Sequence, residues 1–311
     1  MPTKRDLILA GALAAVAGTA RAQAPARAQA PATEKIRLWP RGVPGGERPA
    51  GLRQENIFTE MPGGRSDRGI VGVTDPVLEI WRPAGPVKGA MLIVPGGGYR
   101  QVVIDKEGIE PAERLAAEGF VAGVLTYRLP AEDWKMGLGV VRQDIQRAMR
   151  LMRAAVGPRV KLGAMGFSAG GEMVGRLGND FTRPTYGAVD TADDASARPD
   201  YMVLVYASLG VQPRNPDGTR PPPSPTFLPI PLAVNAQTPP AFIVQAMDDE
   251  RVSFENATEM AAALKARGVP VETLLFEEGG HGFALRRPPE MPVSRWFELF
   301  LAWGRRKGFA G

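Results

Sequence analysis

Two side chains that together perform acyl transfer stand out in this chain. Ser168 lies in residues 166–170 (GFSAG), which match the pattern Gly-x-Ser-x-Gly. A serine hydroxyl is a weak nucleophile until a neighbouring base takes its proton. The chain contains one histidine, His281, which lies in the glycine-rich residues 279–282 (GGHG). We therefore predict Ser168 as a nucleophile and His281 as its general base.

A carboxylate is needed to orient the imidazole and to stabilise its cation. Residues 247–252 (MDDERV) follow an apolar run and precede His281. The serine, the acid and the histidine therefore follow one another along the chain in this sequence. The same chain order is typical of folds in which the serine of a Gly-x-Ser-x-Gly motif comes directly after a strand. We predict Asp249 as the acid and keep Asp248 as the alternative.

Backbone N–H groups must stabilise the negative charge that develops on an attacked carbonyl oxygen. Residues 95–99 (PGGGY) follow another apolar run and expose such groups. We predict the amides of Gly97 and Gly98, together with the amide of Ala169, as the oxyanion hole. A glycine run can also bind phosphate, but no Gly-Lys-Ser/Thr follows this one.

The composition limits the other kinds of chemistry. The chain has 311 residues, of which 44% are apolar and 23% are charged, as is ordinary for a soluble globular protein. Because cysteine is absent, thiolate nucleophiles, disulfides and Cys-based metal sites are excluded. A single histidine counts against a zinc site, and no EF-hand or clustered-aspartate pattern favours an all-carboxylate magnesium or calcium site, so we expect no metal. The net charge of +5 comes from scattered residues, so we expect no nucleic-acid partner.

The N-terminus has the pattern of an export signal. Lys4 and Arg5 precede an apolar segment, residues 7–17, which is too short to span a bilayer. We predict a cleaved signal peptide over residues 1–22, of the twin-arginine or the general secretory type, and a flexible Ala/Pro/Gln linker over residues 23–35. The expected location is periplasmic or secreted, and we expect no membrane contact for the mature form.

Residues 36–311 are predicted to form a single catalytic domain in which strands and helices alternate. The predicted strands are residues 36–38, 77–81, 89–94, 120–125, 160–165, 201–206, 241–246 and 271–276. The predicted helices are residues 107–118, 140–156, 168 to about 177, 254–266 and 293–306. This alternation predicts the α/β class, with a central, mostly parallel sheet and helices on both faces.

Three further expectations concern local structure. Residues 40–66 are rich in Gly, Pro and Arg, which favours a long surface segment without a packed element. The loop over residues 210–240 is rich in proline and is predicted to lie over the active site, with a disordered insertion as the alternative. The apolar face of the helix at 140–156 predicts that its arginines, Arg147 among them, point away from the core.

These motifs make the chain similar to α/β-hydrolases of the carbohydrate-esterase type, close to bacterial acetyl-xylan esterases and feruloyl esterases. The similar segments are residues 38–40 (LWP), 43–45 (VPG), 95–99 (PGGGY), 127–130 (YRLP), 166–171 (GFSAGG) and 279–283 (GGHGF), with the loop of Asp249 and with Asp144, Arg147 and Ala148 before the nucleophile. The resemblance covers about residues 36 to 306. It implies the α/β-hydrolase fold, no cofactor, and hydrolysis of sugar acetyl esters or other short acyl esters by enzymes that are often secreted.

One position departs from this family. A histidine commonly follows the two glycines after the nucleophile, whereas this chain has Glu172. We expect the packing beneath the nucleophile to differ without a loss of the catalytic residues. Tyr99 and Arg100 are predicted substrate contacts, with a structural role as the alternative.

The favoured hypothesis is an exported serine esterase that acts on acetyl esters of xylan-type or other sugars. Its substrate would be a small-molecule or oligosaccharide ester, and the oligomeric state is left open. A serine peptidase of the prolyl-oligopeptidase kind and a non-catalytic carbohydrate-binding homologue are the alternatives. A cytoplasmic lactone or dienelactone hydrolase is a third, but it fits the export signal poorly.

Overall fold

Continuous apolar segments of the sequence form the strands at the centre of the protein. The computed structural model describes residues 33–61, 65–215, 217–219, 221–222 and 229–309. The predicted signal peptide therefore lies outside the described residues. The strands are β1 (Thr33–Arg37), β2 (Glu55–Met61), β3 (Arg65–Val71), β4 (Val77–Trp81), β5 (Gly89–Val94), β6 (Val102–Val103), β7 (Phe120–Thr126), β8 (Leu162–Phe167), β9 (Met202–Val205), β10 (Ala241–Ala246) and β11 (Val271–Phe276).

Helices connect most of these strands. The α-helices are α1 (Glu110–Ala117), α2 (Gly139–Val156), α3 (Ala169–Asp180), α4 (Glu255–Ala266) and α5 (Trp296–Arg306). Short 3₁₀-helices cover Pro130–Glu132, Thr191–Asp194, Ile230–Ala233 and Pro292–Arg295, and a π-helix over Asp105–Ile109 leads into α1. None of the helices in the described ranges is both long enough and apolar enough to cross a bilayer.

Eight strands form one sheet in the order β1-β4-β7-β5-β8-β9-β10-β11. The six strands from β7 to β11 in this order pair in parallel, and β4 runs antiparallel to both of its neighbours. Every residue of β5, β7, β8, β9 and β10 is buried, as expected for strands covered on both faces. The predicted mostly parallel sheet is confirmed.

The direction of the crossovers places helices on both faces of this sheet. The chain passes from β5 to β7 through α1 in one direction, and then from β7 to β8 through α2 in the other. Because such crossovers are right-handed, α1 and α2 lie on opposite faces. The C-terminal helix α5 joins α1, since Arg114 and Glu298 form an ion pair at 3.3 Å. Helix α3 packs beside α2.

Two segments differ from the sequence-based expectation. Residues 40–66 contain β2 and the start of β3, which form an antiparallel hairpin that β6 extends to three strands. The described residues of β2 are exposed, so no apolar pattern marks the strand, and its hydrogen bonds to β3 define it. The strand β1 begins at Thr33, three residues inside the predicted linker, because it pairs with β4.

The arginine at position 147 was expected to point away from the core and does not. Its side chain is 1% exposed and forms ion pairs with Asp190 at 2.5 Å and with Asp193 at 3.0 Å. It also donates to the carbonyl oxygen of Leu38 at 3.1 Å. Charge pairing allows this guanidinium to be buried, and periodicity in the sequence does not show such pairing.

The proline-rich loop is anchored where the structure describes it. Asn256 on α4 accepts hydrogen bonds from the N–H groups of Leu209 and Val211 at 2.8 and 3.1 Å. The 3₁₀-helix Ile230–Ala233 packs against α3 and α4. Residues 216, 220 and 223–228 lie outside the described residues, so the position of the loop over the active site stays a prediction.

Candidate active site

The sharp turn between β8 and α3 carries Ser168. This residue has φ +50° and ψ −117°, a left-handed conformation that non-glycine residues rarely adopt. The N–H of Ser168 donates to the carbonyl oxygen of Val205 at 3.1 Å, and its own carbonyl oxygen accepts from Ser208 at 3.1 Å. Ser168 therefore stands at the N-terminus of α3, where the helix dipole favours negative charge.

The glycines around Ser168 are required by close packing. A Cβ atom on Gly166 would lie 2.3 Å from the carbonyl oxygen of Gly170, and one on Gly170 would lie 2.0 Å from the carbonyl oxygen of Val94. Backbone atoms cannot move aside as a flexible side chain can. The spacing Gly-x-Ser-x-Gly thus reflects the steric limits of this turn.

Replacing Gly170 by alanine is expected to destabilise the protein by about 1–3 kcal/mol or more, because the added methyl group overlaps backbone atoms. Urea unfolding would measure the change. The matched control is Gly85→Ala, since a Cβ atom at position 85 has no neighbour within 4 Å. Equal stability of the two variants would contradict the prediction.

Ser168, His281 and Asp249 lie in one hydrogen-bonded row. The distance from Oγ of Ser168 to Nε2 of His281 is 3.0 Å, and Nδ1 of His281 lies 2.8 Å from Oδ2 of Asp249. The His281 side chain is 16% exposed, and that of Asp249 is fully buried. The structure brings the three predicted residues together in the geometry that a serine–histidine–aspartate triad requires.

The two neighbouring aspartates have different contacts. Oδ1 of Asp249 accepts the N–H groups of Arg251 and Val252, both at 2.9 Å, and Oδ2 faces His281. Asp248 instead accepts the N–H groups of Gly279 and Gly280, at 3.1 and 2.8 Å. Asp249 is thus the partner of His281, and Asp248 fixes the loop that carries it.

The charge on Asp249 is maintained although the side chain is buried. Burial by itself would raise the pKa of Asp249, but the hydrogen bonds from His281, Val252 and Arg251 lower this pKa below its ordinary value. A carboxylate that stays ionised can hold the imidazole in one tautomer and stabilise its cation.

The predicted oxyanion donors lie on the glycine loop that follows β5 and at the first residue of α3, directly after Ser168. Strands β5 and β8 are neighbours, and Val94 pairs with Gly166 at their carboxyl ends. The N–H groups of Gly97, Gly98 and Ala169 donate to no protein acceptor within the described part of the chain. Unused N–H groups near a nucleophile are what an oxyanion hole needs.

Tyr99 and Arg100 have different surroundings. The Tyr99 side chain is buried, and its hydroxyl donates to Oε2 of Glu172 at 2.6 Å and lies 3.2 Å from the carbonyl oxygen of Ala169. Burial, and after it the charge of Glu172, raises the pKa of Tyr99 well above its ordinary value. Tyr99 therefore joins the glycine loop to α3, which supports its structural role, whereas Arg100 is exposed and stays a predicted substrate contact.

Glu172 shows how the departure from the family pattern is accommodated. Its Oε1 atom accepts from Nε of Arg176 at 2.6 Å, one turn further along α3, while its Oε2 atom accepts from Tyr99. The packing beneath the nucleophile thus contains an ion pair and a tyrosine hydrogen bond, and the row of Ser168, His281 and Asp249 is intact.

Sequence reasoning missed Glu107 and Tyr206, which lie behind the row. Glu107 is buried and accepts from the backbone N–H of Gly96 at 2.8 Å and from the Tyr206 hydroxyl at 3.0 Å. The Tyr206 ring lies 5.0 Å from the His281 ring. The sequence feature that could have pointed to Tyr206 is its position at the carboxyl end of β9, since functional groups gather at that edge of a parallel sheet.

Replacing Glu107 by glutamine is expected to change how stability depends on pH. Burial raises the pKa of Glu107, and Lys106, the Gly96 N–H, the Tyr206 hydroxyl and the charge of His281 oppose this only partly. The folded protein therefore holds this proton more tightly than the unfolded chain does. The stability that this proton contributes is complete below the unfolded pKa of about 4, and it is lost as the pH rises through the folded pKa.

The wild type should accordingly lose stability relative to Glu107→Gln as the pH rises from the unfolded pKa of about 4 through the raised folded pKa. Urea unfolding of both proteins across this range measures the difference. A difference that stays constant with pH would show that Glu107 has an ordinary pKa.

The described ranges contain no cluster of side chains that could bind a metal ion. No group of three or more His, Asp or Glu side chains in the described ranges could hold a metal ion. The carboxylates of Asp249, Glu107 and Glu172 are instead hydrogen-bonded to His281, to backbone N–H groups and to tyrosine hydroxyls.

A sequence comparison assigns the chain to a protein family. The model of the prolyl oligopeptidase family matches residues 136–307, more than half of the chain, and this range contains Ser168, Asp249 and His281. The chain belongs to the prolyl oligopeptidase family. The family match begins near the start of α2 and ends with α5, so it includes every strand from β8 onward.

Two curated relatives connect this member of the prolyl oligopeptidase family to xylan-degrading proteins. Endo-1,4-beta-xylanase B of Butyrivibrio fibrisolvens is 31% identical over 222 residues, or 63% of this chain. The acetylxylan esterase of Xylanibacter ruminicola is 26% identical over 219 residues, or 65% of this chain. The chain covers 32% of the first relative's length and 42% of the second's.

Solved structures confirm the predicted α/β-hydrolase fold. The acetyl ester-xyloside bifunctional hydrolase of Caldicellulosiruptor lactoaceticus superposes with a TM-score of 0.68 at 25% identity, covering 92% of this chain and 100% of that one. A thermophilic esterase of Thermogutta terrifontis superposes with a TM-score of 0.63 at 22% identity, covering 85% and 99%, and supports the fold alone. The predicted resemblance to acetyl-xylan esterases is likewise confirmed.

Proposed function

We propose that this protein is an exported serine esterase that hydrolyses carboxylic esters, in particular acetyl esters of xylan-type or other sugars. The observation that carries the proposal is the row of Ser168, His281 and Asp249, with distances of 3.0 and 2.8 Å. The acetylxylan esterase and the bifunctional acetyl ester-xyloside hydrolase among the similar proteins support the substrate class. Residues 36–311 would be the catalytic domain.

The proposed reaction forms and then hydrolyses an acyl-enzyme. Oγ of Ser168 attacks the ester carbonyl carbon while Nε2 of His281 takes the hydroxyl proton. The N–H groups of Gly97, Gly98 and Ala169 stabilise the tetrahedral oxyanion. As the intermediate collapses, His281 gives the proton to the departing alcohol. Water then attacks the acyl group with His281 again as base, which releases the acid and restores Ser168.

The buried Asp249 has a supporting part in both steps. Its carboxylate accepts a hydrogen bond from the Nδ1–H group of His281, so that Nε2 faces the Ser168 hydroxyl as an acceptor. When His281 gains the second proton, the carboxylate stabilises the imidazolium. Since the pKa of Asp249 is lowered, its carboxylate stays charged at neutral pH.

The proposal is tested by a hydrolysis screen of the purified protein against acetylated xylo-oligosaccharides, feruloyl esters and a series of p-nitrophenyl esters. We expect turnover of acetyl esters, loss of turnover in Ser168→Ala, and covalent labelling of Ser168 by a fluorophosphonate in the wild type alone. Labelling without hydrolysis of any ester would contradict the esterase proposal. Absence of labelling would favour the non-catalytic carbohydrate-binding homologue.

A peptidase is the second candidate, because the matched family is the prolyl oligopeptidase family. The same row of residues would then cleave amides. Aminoacyl-nitroanilides and proline-containing peptides, assayed beside the esters with the same enzyme preparation, separate the two candidates. Higher kcat/KM on peptides than on acetyl esters would favour the peptidase.

Export is a separate part of the proposal and rests on residues 1–22. N-terminal sequencing of protein collected from the periplasm and the culture medium tests it. We expect a mature chain that begins at Gln23. Full-length protein confined to the cytoplasm would contradict export without affecting the proposed chemistry.

A further inference from the structure

A buried carboxyl group links two parts of the candidate site that are far apart in the sequence. Glu107 is 3% exposed and accepts two hydrogen bonds, one at each oxygen. Oε2 accepts from the backbone N–H of Gly96 at 2.8 Å, and Oε1 accepts from the hydroxyl of Tyr206 at 3.0 Å. Burying a carboxyl group is costly, so both hydrogen bonds offset part of that cost.

The first contact controls the glycine loop. A Cβ atom on Gly96 would lie 2.7 Å from the carbonyl oxygen of Phe167 and 2.9 Å from Cβ of Ser168, so this residue packs directly against the nucleophile. Val103 donates to the Gly96 carbonyl oxygen at 3.1 Å, and Glu107 accepts from the Gly96 N–H. With both sides of Gly96 held, the following N–H groups are fixed relative to Ser168.

The second contact controls the histidine loop. The Tyr206 ring lies against the His281 ring, with centroids 5.0 Å apart, and against Phe283 at 4.6 Å. Tyr206 has φ +38° and Ala284 has φ +41°, so both residues hold uncommon conformations. The surrounding contacts, including that of Glu107, must maintain such strain.

The local backbone presents Glu107 to these partners. Residues Asp105–Ile109 form a π-helix, in which the N–H of Ile109 donates to the carbonyl oxygen of Ile104 at 2.9 Å. A π-helix turn contains an extra residue and often occurs at functional sites. On either side of Glu107, Lys106 pairs with Asp67 at 3.4 Å, and Gly108 is packed so closely that a Cβ atom there would lie 2.9 Å from Cγ1 of Val124.

We propose that Glu107 is a positioning residue that holds the oxyanion loop through Gly96 and the general base through Tyr206. This inference rests on the proposed function and extends it to a residue outside the triad. The carboxylate suits this role because it accepts from both partners at once. A glutamine accepts at one oxygen only, and its NH₂ group would face either the Gly96 N–H, which is itself a donor, or the Tyr206 hydroxyl, whose proton would then lose its acceptor.

The test compares Glu107→Gln, Tyr206→Phe and the double variant with the wild type. Rates are normalised to active sites by titration with the fluorophosphonate. Because a small misplacement of reacting groups lowers turnover strongly, we expect Glu107→Gln to lose about tenfold or more in kcat on p-nitrophenyl acetate, with KM changed less than about threefold. The second-order rate of fluorophosphonate labelling should fall by a similar factor.

Tyr206→Phe keeps the ring beside His281 and removes the hydroxyl, so a loss of about threefold to tenfold is expected. In the double variant the losses should not multiply, since both changes break the same hydrogen bond. The matched control is Glu132→Gln, because Glu132 also accepts a backbone N–H, from Gly72, and also has a pKa raised by burial. Its rates should stay within about twofold of the wild type.

Wild-type kcat and labelling rates in folded Glu107→Gln would overturn the inference, as would a raised KM at unchanged kcat. If Glu107→Gln does not fold, Tyr206→Phe decides, and wild-type rates in that variant would overturn the inference. The labelling rate needs no particular ester. It therefore separates failure of this inference from failure of the proposed substrate class. If only the substrate class is wrong, the variants and the wild type still differ in labelling rate.

Discussion

Replacing His281 by alanine is expected to lower kcat on p-nitrophenyl acetate by roughly 10⁴- to 10⁶-fold, as removal of the base does in serine hydrolases of this kind. The chain has no second imidazole that could replace it. The fold should persist, because the side chain is partly exposed and its loop is held by the hydrogen bonds of Asp248 to Gly279 and Gly280.

The measurement is steady-state kinetics with a circular dichroism melt of each variant. Glu278→Ala is the matched control, because it removes an exposed side chain from the same loop and should leave kcat unchanged. Imidazole added to His281→Ala should restore part of the activity, since the small base can occupy the space left beside Ser168. Near-native turnover in the folded variant would exclude the proposed mechanism.

Replacing Asp144 by alanine is expected to lower the free energy of unfolding by about 3–5 kcal/mol, the usual loss when one partner of a buried ion pair is removed. Asp144 and Arg128 are both fully buried and lie 2.7 Å apart. Asp144 also accepts from Nε1 of Trp39 at 2.7 Å and from the backbone N–H of Arg128 at 2.9 Å. The change would leave the Arg128 cation and the indole N–H without this acceptor.

Urea unfolding of Asp144→Ala, with Glu34→Ala as the control, measures this effect. Glu34 pairs with Arg82 at 3.3 Å, but both side chains are about half exposed, so its loss should cost no more than about 1 kcal/mol. The double variant Arg128→Met/Asp144→Leu should be less destabilised than Asp144→Ala, because no charge remains buried and unpaired. Equal losses for Asp144→Ala and Glu34→Ala would contradict this interpretation.

The central strands were predictable because most of them are local apolar runs. Residues 77–81, 89–94, 241–246 and 271–276 form strands with the predicted bounds, whereas β8, which leads to Ser168, covers Leu162–Phe167 rather than residues 160–165. The β2–β3 hairpin was not predicted, since β2 is exposed and exists through its pairing with β3. The last helix begins at Trp296 rather than at residue 293, because a 3₁₀ turn over Pro292–Arg295 precedes it.

The contacts of the buried charged residues could not be predicted from the sequence either. The periodicity of α2 placed Arg147 on the solvent side, yet the segment over residues 190–193 covers it and supplies its carboxylates. Asp144 lies on the same helix and was singled out only through the family resemblance. Partners that lie more than forty residues away cannot be read from the spacing of apolar residues.

The amino-acid sequence by itself determined which chemistry is available. It contains one Gly-x-Ser-x-Gly serine, one histidine and no cysteine, and the serine, the acidic loop and the histidine follow one another in the order typical of this fold. These features are local in the chain, and each depends on residue type and short spacing.

The tertiary structure decided the assignments that depend on distance. It placed Asp249 beside His281, whereas Asp248 accepts hydrogen bonds from backbone N–H groups of the loop that carries His281. The two aspartates are nevertheless adjacent in the sequence. It also brought Glu107 and Tyr206, which are 99 residues apart in the sequence, within hydrogen-bonding distance of each other. The physical reason is that hydrogen bonds to buried groups form wherever the packed strands bring donors and acceptors together, and their geometry exists only after the sheet has assembled.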